Sequence, residues 1–185
     1  HKRLSLEMGG KNAMIVLDDA DPELALEGVL WGAFGTTGQR CTATSRLILQ
    51  SKIHDNVLGA LVDRAKAMKL GDGRKKGTDV GPLINDASRA KVERYVDIGQ
   101  AQGADLLCGG KRPDSKSLEK GFFFEPTVFA HVEAGSRLEQ EEIFGPVLSV
   151  IRVQTVDEAF AVNNDVHYGL SSSVYTRDVN VAFRA

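Results

Sequence analysis

Several features that mark particular classes of protein are missing from this sequence. No apolar run approaches the ~20 residues that a membrane-spanning helix needs, and the opening HKRLSLEMGG lacks the apolar core of a signal peptide. The 23 basic and 25 acidic residues are interspersed, so no region of one charge sign is present to bind nucleic acid or an anionic membrane. We therefore expect neither kind of partner.

Cysteine is scarce, because only Cys41 and Cys108 occur in 185 residues. Two cysteines this far apart give neither a metal-ligand spacing nor a disulfide framework, and the four histidines are scattered. No metal site is predicted. A reducing, cytoplasmic setting suits such a sequence best.

Nucleotide-binding motifs are missing as well. Neither GxGxxG nor the P-loop pattern GxxxxGK occurs, so no dinucleotide-binding unit is predicted within these residues. The chain starts at His1 rather than at methionine and ends in VNVAFRA, which has the pattern of a helix stopped in its second turn. We expect the chain to be part of a larger protein.

What is present is the pattern of a globular α/β protein. Hydrophobic residues make up 42% and charged residues 26% of the chain, enough for one sizeable core. Short apolar runs alternate with segments of helical periodicity, which predicts a largely parallel sheet flanked by helices. The predicted strands are NAMIVL, SRLILQ, DLLCGG, PTVFAHV, VLSVIRV and SSSVYT. The predicted helices lie in DDADPELALEGVLWGAFG, in residues 54–71 closed by Gly71, in residues 86–103 closed by Gly103 and in VDEAFAVNND, while 111–121 is predicted to be a surface loop.

The two cysteines stand in different contexts. Cys108 lies among leucines in a predicted strand, as expected of a small buried hydrophobic residue. Cys41 lies in FGTTGQRCTATSR, an irregular connection between a predicted helix and a predicted strand, where α/β proteins commonly carry their sites. Arg40 and Arg46 could favour the thiolate that a nucleophile needs, although Arg46 is better interpreted as a solvated loop arginine. From these residues alone, Cys41 is either a nucleophile or a buried filler.

A nucleophilic cysteine usually needs a base, and two kinds of residue are available. No histidine stands in a setting that marks the partner of a Cys-His dyad, and His54 opens a predicted helix like an ordinary polar cap. Glu7, in SLEMGGK, is a lone carboxylate beside a Gly-Gly pair, an unusual place for a solvated charge. By composition, a structural and a catalytic role for Glu7 are equally supported.

Three motifs in order, LEMGGKN, GQRC and EQEEIFGPVLSV, resemble those of the catalytic half of the aldehyde dehydrogenase superfamily. The similarity extends over essentially the whole chain, including DADPELA, VGPLI and NDVHYGLSSSVYT. It implies the α/β fold of that catalytic domain and favours Cys41 as a nucleophile. GQRCTATSRLI is also similar to the nucleophile segment of semialdehyde dehydrogenases, notably those acting on 2-oxoglutarate semialdehyde.

The resemblance implies a reaction for Cys41 and Glu7. Cys41 would attack the aldehyde carbon to give a thiohemiacetal, and loss of hydride to a nicotinamide cofactor would leave a thioester. Glu7, the glutamate of the LE-x-GGK motif, would activate the water that hydrolyses the thioester, a task that suits a partly buried carboxylate. The backbone N–H of Cys41 would donate to the developing oxyanion, and a second donor, an asparagine, is expected outside these residues.

The resemblance also implies contacts with the cofactor, NAD or NADP. Glu142 matches the residue that hydrogen-bonds the nicotinamide ribose, and Phe144 matches the aromatic residue near the nicotinamide. Lys91 lies where many members have a basic contact to the adenosine end, but Ser88 replaces a common glutamine there, and an exposed helix lysine is an equally good interpretation.

The dinucleotide itself is expected to be held mainly by a domain outside this chain. Residues 1–185 are therefore interpreted as the nucleophile-bearing catalytic domain, which by itself should not oxidise aldehydes with NAD. The resemblance implies a small-molecule aldehyde as substrate and a homo-oligomer for the full-length protein.

Other functions remain open on the sequence. A CoA-acylating aldehyde dehydrogenase would pass the thioester to coenzyme A, but such members typically lack the glutamate found here at Glu7. A cofactor-independent thiol esterase or a redox-sensing thiol domain would use Cys41 without nicotinamide. A non-catalytic domain would need neither residue. For the substrate, Arg40 would either face a carboxylate or point away into the protein.

Overall fold

The computed structural model describes all residues from His1 to Ala185, with six strands and six helices. The strands are β1 (Asn12–Val16), β2 (Thr44–Gln50), β3 (Asp105–Cys108), β4 (Thr127–Ala130), β5 (Val147–Val153) and β6 (Ser172–Tyr175). The helices are α1 (Pro22–Phe34), α2 (Ser51–Ala67), α3 (Asp86–Ala101), α4 (Arg137–Gln140), α5 (Val156–Asn164) and α6 (Val179–Arg184). All six predicted strands are present.

The strands form one sheet in the order β3-β4-β5-β2-β1-β6. Every neighbouring pair is parallel except β3 and β4, which are antiparallel. β3 is the outermost strand on its side of the sheet. Parallel neighbours need crossover connections, and α1 supplies one between β1 and β2. The prediction of a largely parallel sheet flanked by helices is confirmed.

Each face of the sheet packs into its own hydrophobic cluster. Alternate residues of β1 show the division, since Met14 and Val16 pack with side chains of α1 and α2, whereas Ala13 and Ile15 pack with side chains of α3 and α5. All residues of β1 are buried, as expected for a strand covered on both faces.

Some helix boundaries differ from the prediction. α2 begins and ends earlier than predicted, because Met68 is extended and the chain then turns to pair Leu70 with Val80. Gly71 therefore does not close α2, and that prediction is wrong. Gly103 lies just beyond α3 with φ +82°, as the prediction requires. α4 is too short to show a helical periodicity and is absent from the sequence prediction.

The connection at 111–121 contains turns but no helix or strand and is mostly exposed, which confirms the predicted surface loop. None of the helices combines the length and the apolar character that crossing a membrane requires.

The amino-terminal ends of β1 and β2 hold a buried group of charged side chains. Arg46 of β2 is 1% exposed and forms an ion pair with Glu139 at 2.6 Å. Its Nε donates to Lys11 O at 2.9 Å, and its terminal nitrogens donate to Val162 O and Asn163 O. The prediction of a solvated loop arginine is wrong, since Arg46 belongs to β2 and its side chain enters the core.

Lys11 lies beside this ion pair and is equally buried. Its Nζ donates to Glu141 O at 2.8 Å. Burial first, and then the positive charge of Arg46, lower the pKa of Lys11 from 10.5 to about 7. The folded protein therefore releases the Lys11 proton at a lower pH than the unfolded chain does.

We expect this buried lysine to make the protein more stable as the pH rises. Between a pH of about 7 and 10.5, unfolded Lys11 binds a proton that folded Lys11 has released, so the free energy of unfolding increases with pH. The gain from this one group is at most about 1.4 kcal/mol per pH unit. Below that range both states are protonated and the gain is absent.

Urea unfolding midpoints of the full-length protein, followed from a pH of about 7 upwards, test this expectation. The midpoint should rise less steeply with pH in Lys11→Met than in wild type. Lys76→Met, at an exposed lysine, is the control and should leave the slope unchanged. Equal slopes in wild type and Lys11→Met would contradict the expectation.

Candidate active site

Four connections meet at the amino-terminal ends of the parallel strands. They are residues 7–11 before β1, 35–43 before β2, 141–146 before β5 and 165–171 before β6. Because these strands are parallel, their amino ends lie along one edge of the sheet. The predicted site residues all lie on the first three connections: Glu7, Cys41, Glu142 and Phe144.

The Cys41 loop, residues 35–43, makes a tight turn after α1. Thr37 and Gly38 both have left-handed backbones, with φ 59° and 64°. A Cβ at Gly38 would collide with the carbonyl oxygen of Gly145, so only glycine fits there. The Cys41 loop and the 141–146 connection are therefore in direct backbone contact.

Side chains tie the Cys41 loop to the VGPLI segment, residues 80–84. Thr37 Oγ1 donates to Gly81 O at 3.1 Å. Gln39 Nε2 donates to Pro82 O at 3.2 Å, and its Oε1 accepts from the N–H of Ile84 at 2.9 Å. This segment thus supports the loop from outside the sheet.

Cys41 itself is exposed, on a backbone that is held in place. The N–H of Ala43 donates to Arg40 O at 3.0 Å, and Asn12 Nδ2 donates to Cys41 O at 2.6 Å. Both peptide groups that flank the Cα of Cys41 are therefore fixed. The N–H of Cys41 donates to no group of the chain and is free to bind a ligand.

The neighbouring carboxylates Glu141 and Glu142 have different surroundings. Glu141 accepts from Arg137 at 2.8 and 2.9 Å and from the Tyr95 hydroxyl at 2.6 Å. These bonds, that of Arg137 above all, lower the pKa of Glu141 to about 2. Glu142 Oε1 instead accepts from the N–H of Gly10 at 2.9 Å, and its Oε2 has no hydrogen bond within the chain. Glu142 therefore has one oxygen left for a ligand.

Phe144 and Glu7 are both exposed. Phe144 is 40% exposed and has φ 60°, an unfavourable conformation of a kind that clusters at functional sites. The carboxylate of Glu7 makes no hydrogen bond or ion pair, so the partial burial expected of it is not found in this chain.

Lys91 is half-buried on α3, with Nζ 6.0 Å from the centre of the Tyr95 ring.

Arg40 lies against the ring of Trp31. Its Cζ is 4.1 Å from the ring centroid, and its Nε donates to Thr36 Oγ1 at 3.0 Å. Trp31 is 63% exposed, and Arg40, Trp31 and Thr42 line a cleft of about 330 Å³ beside Cys41. The terminal nitrogens of Arg40 make no hydrogen bond with the chain and are free to bind an anion.

Two of the histidines lie away from this edge, and the second cysteine lies in β3, three strands from β2 in the sheet. His54 is buried in α2 with Nδ1 2.7 Å from Asp55, so the prediction of a polar cap is wrong. Its ring lies 6.4 Å from that of His131, which follows the carboxyl end of β4. Both rings are therefore at the edge opposite Cys41. Cys108 is buried in β3, as predicted, and burial raises the pKa of its thiol.

Two side chains at this edge are not predicted from the sequence. Asn12, which holds the carbonyl of Cys41, and Lys11, whose amine reaches Glu141 O, both follow the Gly-Gly pair of LEMGGKN. Lysine and asparagine are ordinarily exposed. The one signal that could have found them is their place in that motif.

Comparison with known proteins gives a consistent result. A family model described as the aldehyde dehydrogenase family matches residues 1–185. The betaine aldehyde dehydrogenase of Bacillus subtilis (strain 168) is 47% identical over 178 residues, which cover 96% of this chain and 36% of that protein. The alpha-ketoglutarate semialdehyde dehydrogenase of Haloferax volcanii is 45% identical over 183 residues, which cover 99% of this chain and 38% of that protein. The chain thus spans little more than a third of the length of these relatives.

Solved structures agree on the fold. The crystal structure of betaine aldehyde dehydrogenase from Staphylococcus aureus in complex with NAD+ gives a TM-score of 0.95 at 45% identity, covering 96% of this chain and 35% of that chain. A point mutant of the same enzyme, with NAD+ and a BME-modified cysteine, gives a TM-score of 0.94 at the same identity, covering 96% of this chain and 36% of that chain. By sequence and by fold, the chain belongs to the aldehyde dehydrogenase family.

Proposed function

We propose that this chain is the nucleophile-bearing catalytic domain of an NAD(P)-dependent aldehyde dehydrogenase that oxidises an aldehyde to a carboxylate. The observation that carries the proposal is the placement of Cys41. Its side chain is exposed, the peptide groups on both sides are held by hydrogen bonds, and its own N–H is unpartnered. A thiol beside an unpaired N–H suits attack on a carbonyl carbon, because the N–H can stabilise the carbonyl oxygen.

The first step is attack of the Cys41 sulfur on the aldehyde carbon. A carbon–sulfur bond forms, the carbonyl oxygen gains negative charge, and the N–H of Cys41 donates to that oxygen as the thiohemiacetal forms. When bound, the nicotinamide of NAD or NADP supplies the acceptor for the hydride that leaves this carbon. Water then attacks the resulting thioester, and the Cys41 sulfur leaves as the carboxylate product forms.

Glu7 is the proposed base that takes a proton from that water. It lies on the connection before β1, which is anchored at Gly10 by Glu142 and at Asn12 by the carbonyl of Cys41. No group of the chain competes for its carboxylate. In this proposal Glu7 becomes enclosed when other parts of the full-length protein cover this edge of the sheet.

The residues at this edge suit a nicotinamide cofactor. Glu142 keeps one carboxylate oxygen free to accept from ribose hydroxyls, while Gly10 fixes the other. Phe144 presents an exposed ring for packing against the nicotinamide. The NAD+ bound to the Staphylococcus aureus enzyme, and its BME-modified cysteine, support the cofactor and a reactive cysteine. We place the dinucleotide-binding unit, and with it the choice between NAD and NADP, outside residues 1–185.

Two further features belong to the proposal. A cytoplasmic location is supported by the two cysteines, which are both unpaired. A homo-oligomeric full-length protein is supported by large apolar side chains that this chain leaves exposed, among them Leu24, Trp31 and Phe183.

For the substrate we propose an aldehyde that also carries a carboxylate, as a semialdehyde does. The relatives include enzymes named for betaine aldehyde, a quaternary ammonium cation, and for alpha-ketoglutarate semialdehyde, an anion. Arg40, next to Cys41, favours the anion because its free nitrogens bind a carboxylate and repel a cation. Arg40 also covers one face of Trp31, a ring that would otherwise be open to an ammonium group.

Stopped-flow measurement of reduced cofactor tests Cys41 and Glu7 in the full-length protein. Cys41→Ala should abolish the pre-steady-state burst, because no thiohemiacetal can form. Glu7→Gln should keep a burst but slow steady-state turnover by roughly 10²- to 10⁴-fold, since water would attack without a base. Cys108→Ala, at the buried cysteine, is the matched control and should retain both phases. A burst from Cys41→Ala would refute the assignment.

Arg40→Gln tests the substrate class. The kcat/KM for a semialdehyde with a carboxylate should fall by roughly 10- to 100-fold, the loss expected for one charge-assisted hydrogen bond. The value for a neutral aldehyde of the same length should change little. Arg152→Gln, at an exposed arginine of β5, should leave both values unchanged. Equal losses for the two aldehydes would mean that Arg40 only supports the Cys41 loop.

A further inference from the structure

We propose that Asn12 positions the nucleophile. Its carboxamide fixes the backbone around Cys41, so that the thiol and the N–H of Cys41 act on one carbonyl group. This role rests on the proposed function of Cys41. In this proposal Asn12 acts through the Cys41 loop.

The side chain of Asn12 is buried and fully hydrogen-bonded. Asn12 is the first residue of β1 and is 5% exposed. Its Nδ2 donates to Cys41 O at 2.6 Å and to Ala43 O at 3.0 Å. Its Oδ1 accepts from the N–H and from the hydroxyl of Ser171, each at 3.1 Å. Both donors and both acceptor positions of the carboxamide are therefore in use.

The partners dictate which way the carboxamide faces. The carbonyl oxygens of Cys41 and Ala43 can only accept, and the N–H of Ser171 can only donate. Turning the amide over would set like groups against each other at all three places. The carbonyl of Cys41 is thus held by a group that cannot turn.

The direction of the Cys41 N–H is also fixed, because the peptide group between Arg40 and Cys41 is planar. The N–H of Ala43 fixes Arg40 O at 3.0 Å, and Ala43 is held in turn through its own carbonyl by Asn12. A planar trans peptide group points its N–H away from its C=O, so fixing Arg40 O fixes the direction of the Cys41 N–H. Asn12 therefore controls both peptide groups beside Cys41, one directly and the other through Ala43.

Close packing supports the same carbonyl from the other side. A Cβ at Gly10 would collide with Cys41 O, so the backbone just before Asn12 lies directly against that oxygen. The carbonyl of Cys41 is enclosed between Gly10 and Asn12. It has no room to move toward β1.

The bonds of Asn12 are not needed to hold β1 in the sheet. β1 pairs with β6 from Ala13 to Val16, and its regular pairing with β2 also begins at Ala13, with an irregularity at Asn12. The strand ladder therefore does not depend on the Asn12 side chain. What that side chain adds is a link from β1 to the Cys41 loop and to Ser171.

Three variants of the full-length protein separate these roles. Asn12→Asp keeps the size of the side chain and can still accept from Ser171, but it cannot donate to the two carbonyls. Asn12→Ala removes every bond of the carboxamide without adding charge. Ser171→Ala is the matched control, because it removes one bond to Oδ1 and leaves both donors of Asn12 in place.

Hydrogen exchange of the peptide covering residues 35–43 reports the order of the loop directly. The N–H groups of Thr37, Gln39 and Ala43 are bonded to carbonyls of residues 34–40. Their exchange should be faster by roughly tenfold or more in Asn12→Asp and Asn12→Ala, and unchanged in Ser171→Ala. The rate of the burst should fall by roughly 10- to 100-fold in the same two variants, with the aldehyde KM within about threefold, because misplacement weakens the transition state more than binding.

The outcomes distinguish this proposal from the proposed function. Unchanged exchange in Asn12→Asp and Asn12→Ala would overturn the positioning role, whatever reaction Cys41 performs. Faster exchange with a wild-type burst rate would overturn it too, since the order of the loop would then not matter for the reaction. A wild-type protein without a Cys41-dependent burst would refute the proposed function instead, and the exchange data alone would decide whether Asn12 orders the loop.

Discussion

The buried guanidinium of Arg46 fixes the edge of the sheet on which the candidate site is built. Through its hydrogen bonds it joins β2 to the chain before β1, to Glu139 of α4 and to the end of α5. A buried charge is costly unless its donors are paired, so these segments must all come together when the fold forms. Cys41 and Glu7 take no part in this group and are exposed, which leaves their side chains available for chemistry.

The site lies at the less usual edge of a parallel sheet. In open α/β sheets, ligands generally bind beyond the carboxyl ends of the strands. Here the connections that carry Cys41 and Glu142 precede their strands, while the opposite edge holds the histidine pair His54 and His131. This arrangement suits a domain whose cofactor is proposed to come from elsewhere. Its loops need only present a few groups toward the dinucleotide and do not have to enclose it.

Local patterns predicted the fold, whereas the contacts of the site depend on residues far apart in the sequence. α2 and α3 are long enough to show a helical periodicity, and the glycines around Cys41 set it apart from Cys108. Arg46 is 93 positions from Glu139, and the partners of Asn12 are 29 and 159 positions away in Cys41 and Ser171. No short stretch of sequence contains both sides of such a contact, and charged residues are ordinarily exposed, so Arg46 was misinterpreted as a solvated side chain. The residues proposed for catalysis and cofactor binding were found through the family motifs.

The contact between Gly38 and Gly145 has a mechanical consequence. No side chain separates the two backbones, so no change of rotamer can absorb a relative displacement of the two loops. A movement of the 141–146 connection, which carries Glu142 and Phe144, must therefore push the Cys41 loop along or be resisted by it. The two loops therefore move together. A ligand that displaces Glu142 or Phe144 would also shift the backbone that carries Cys41.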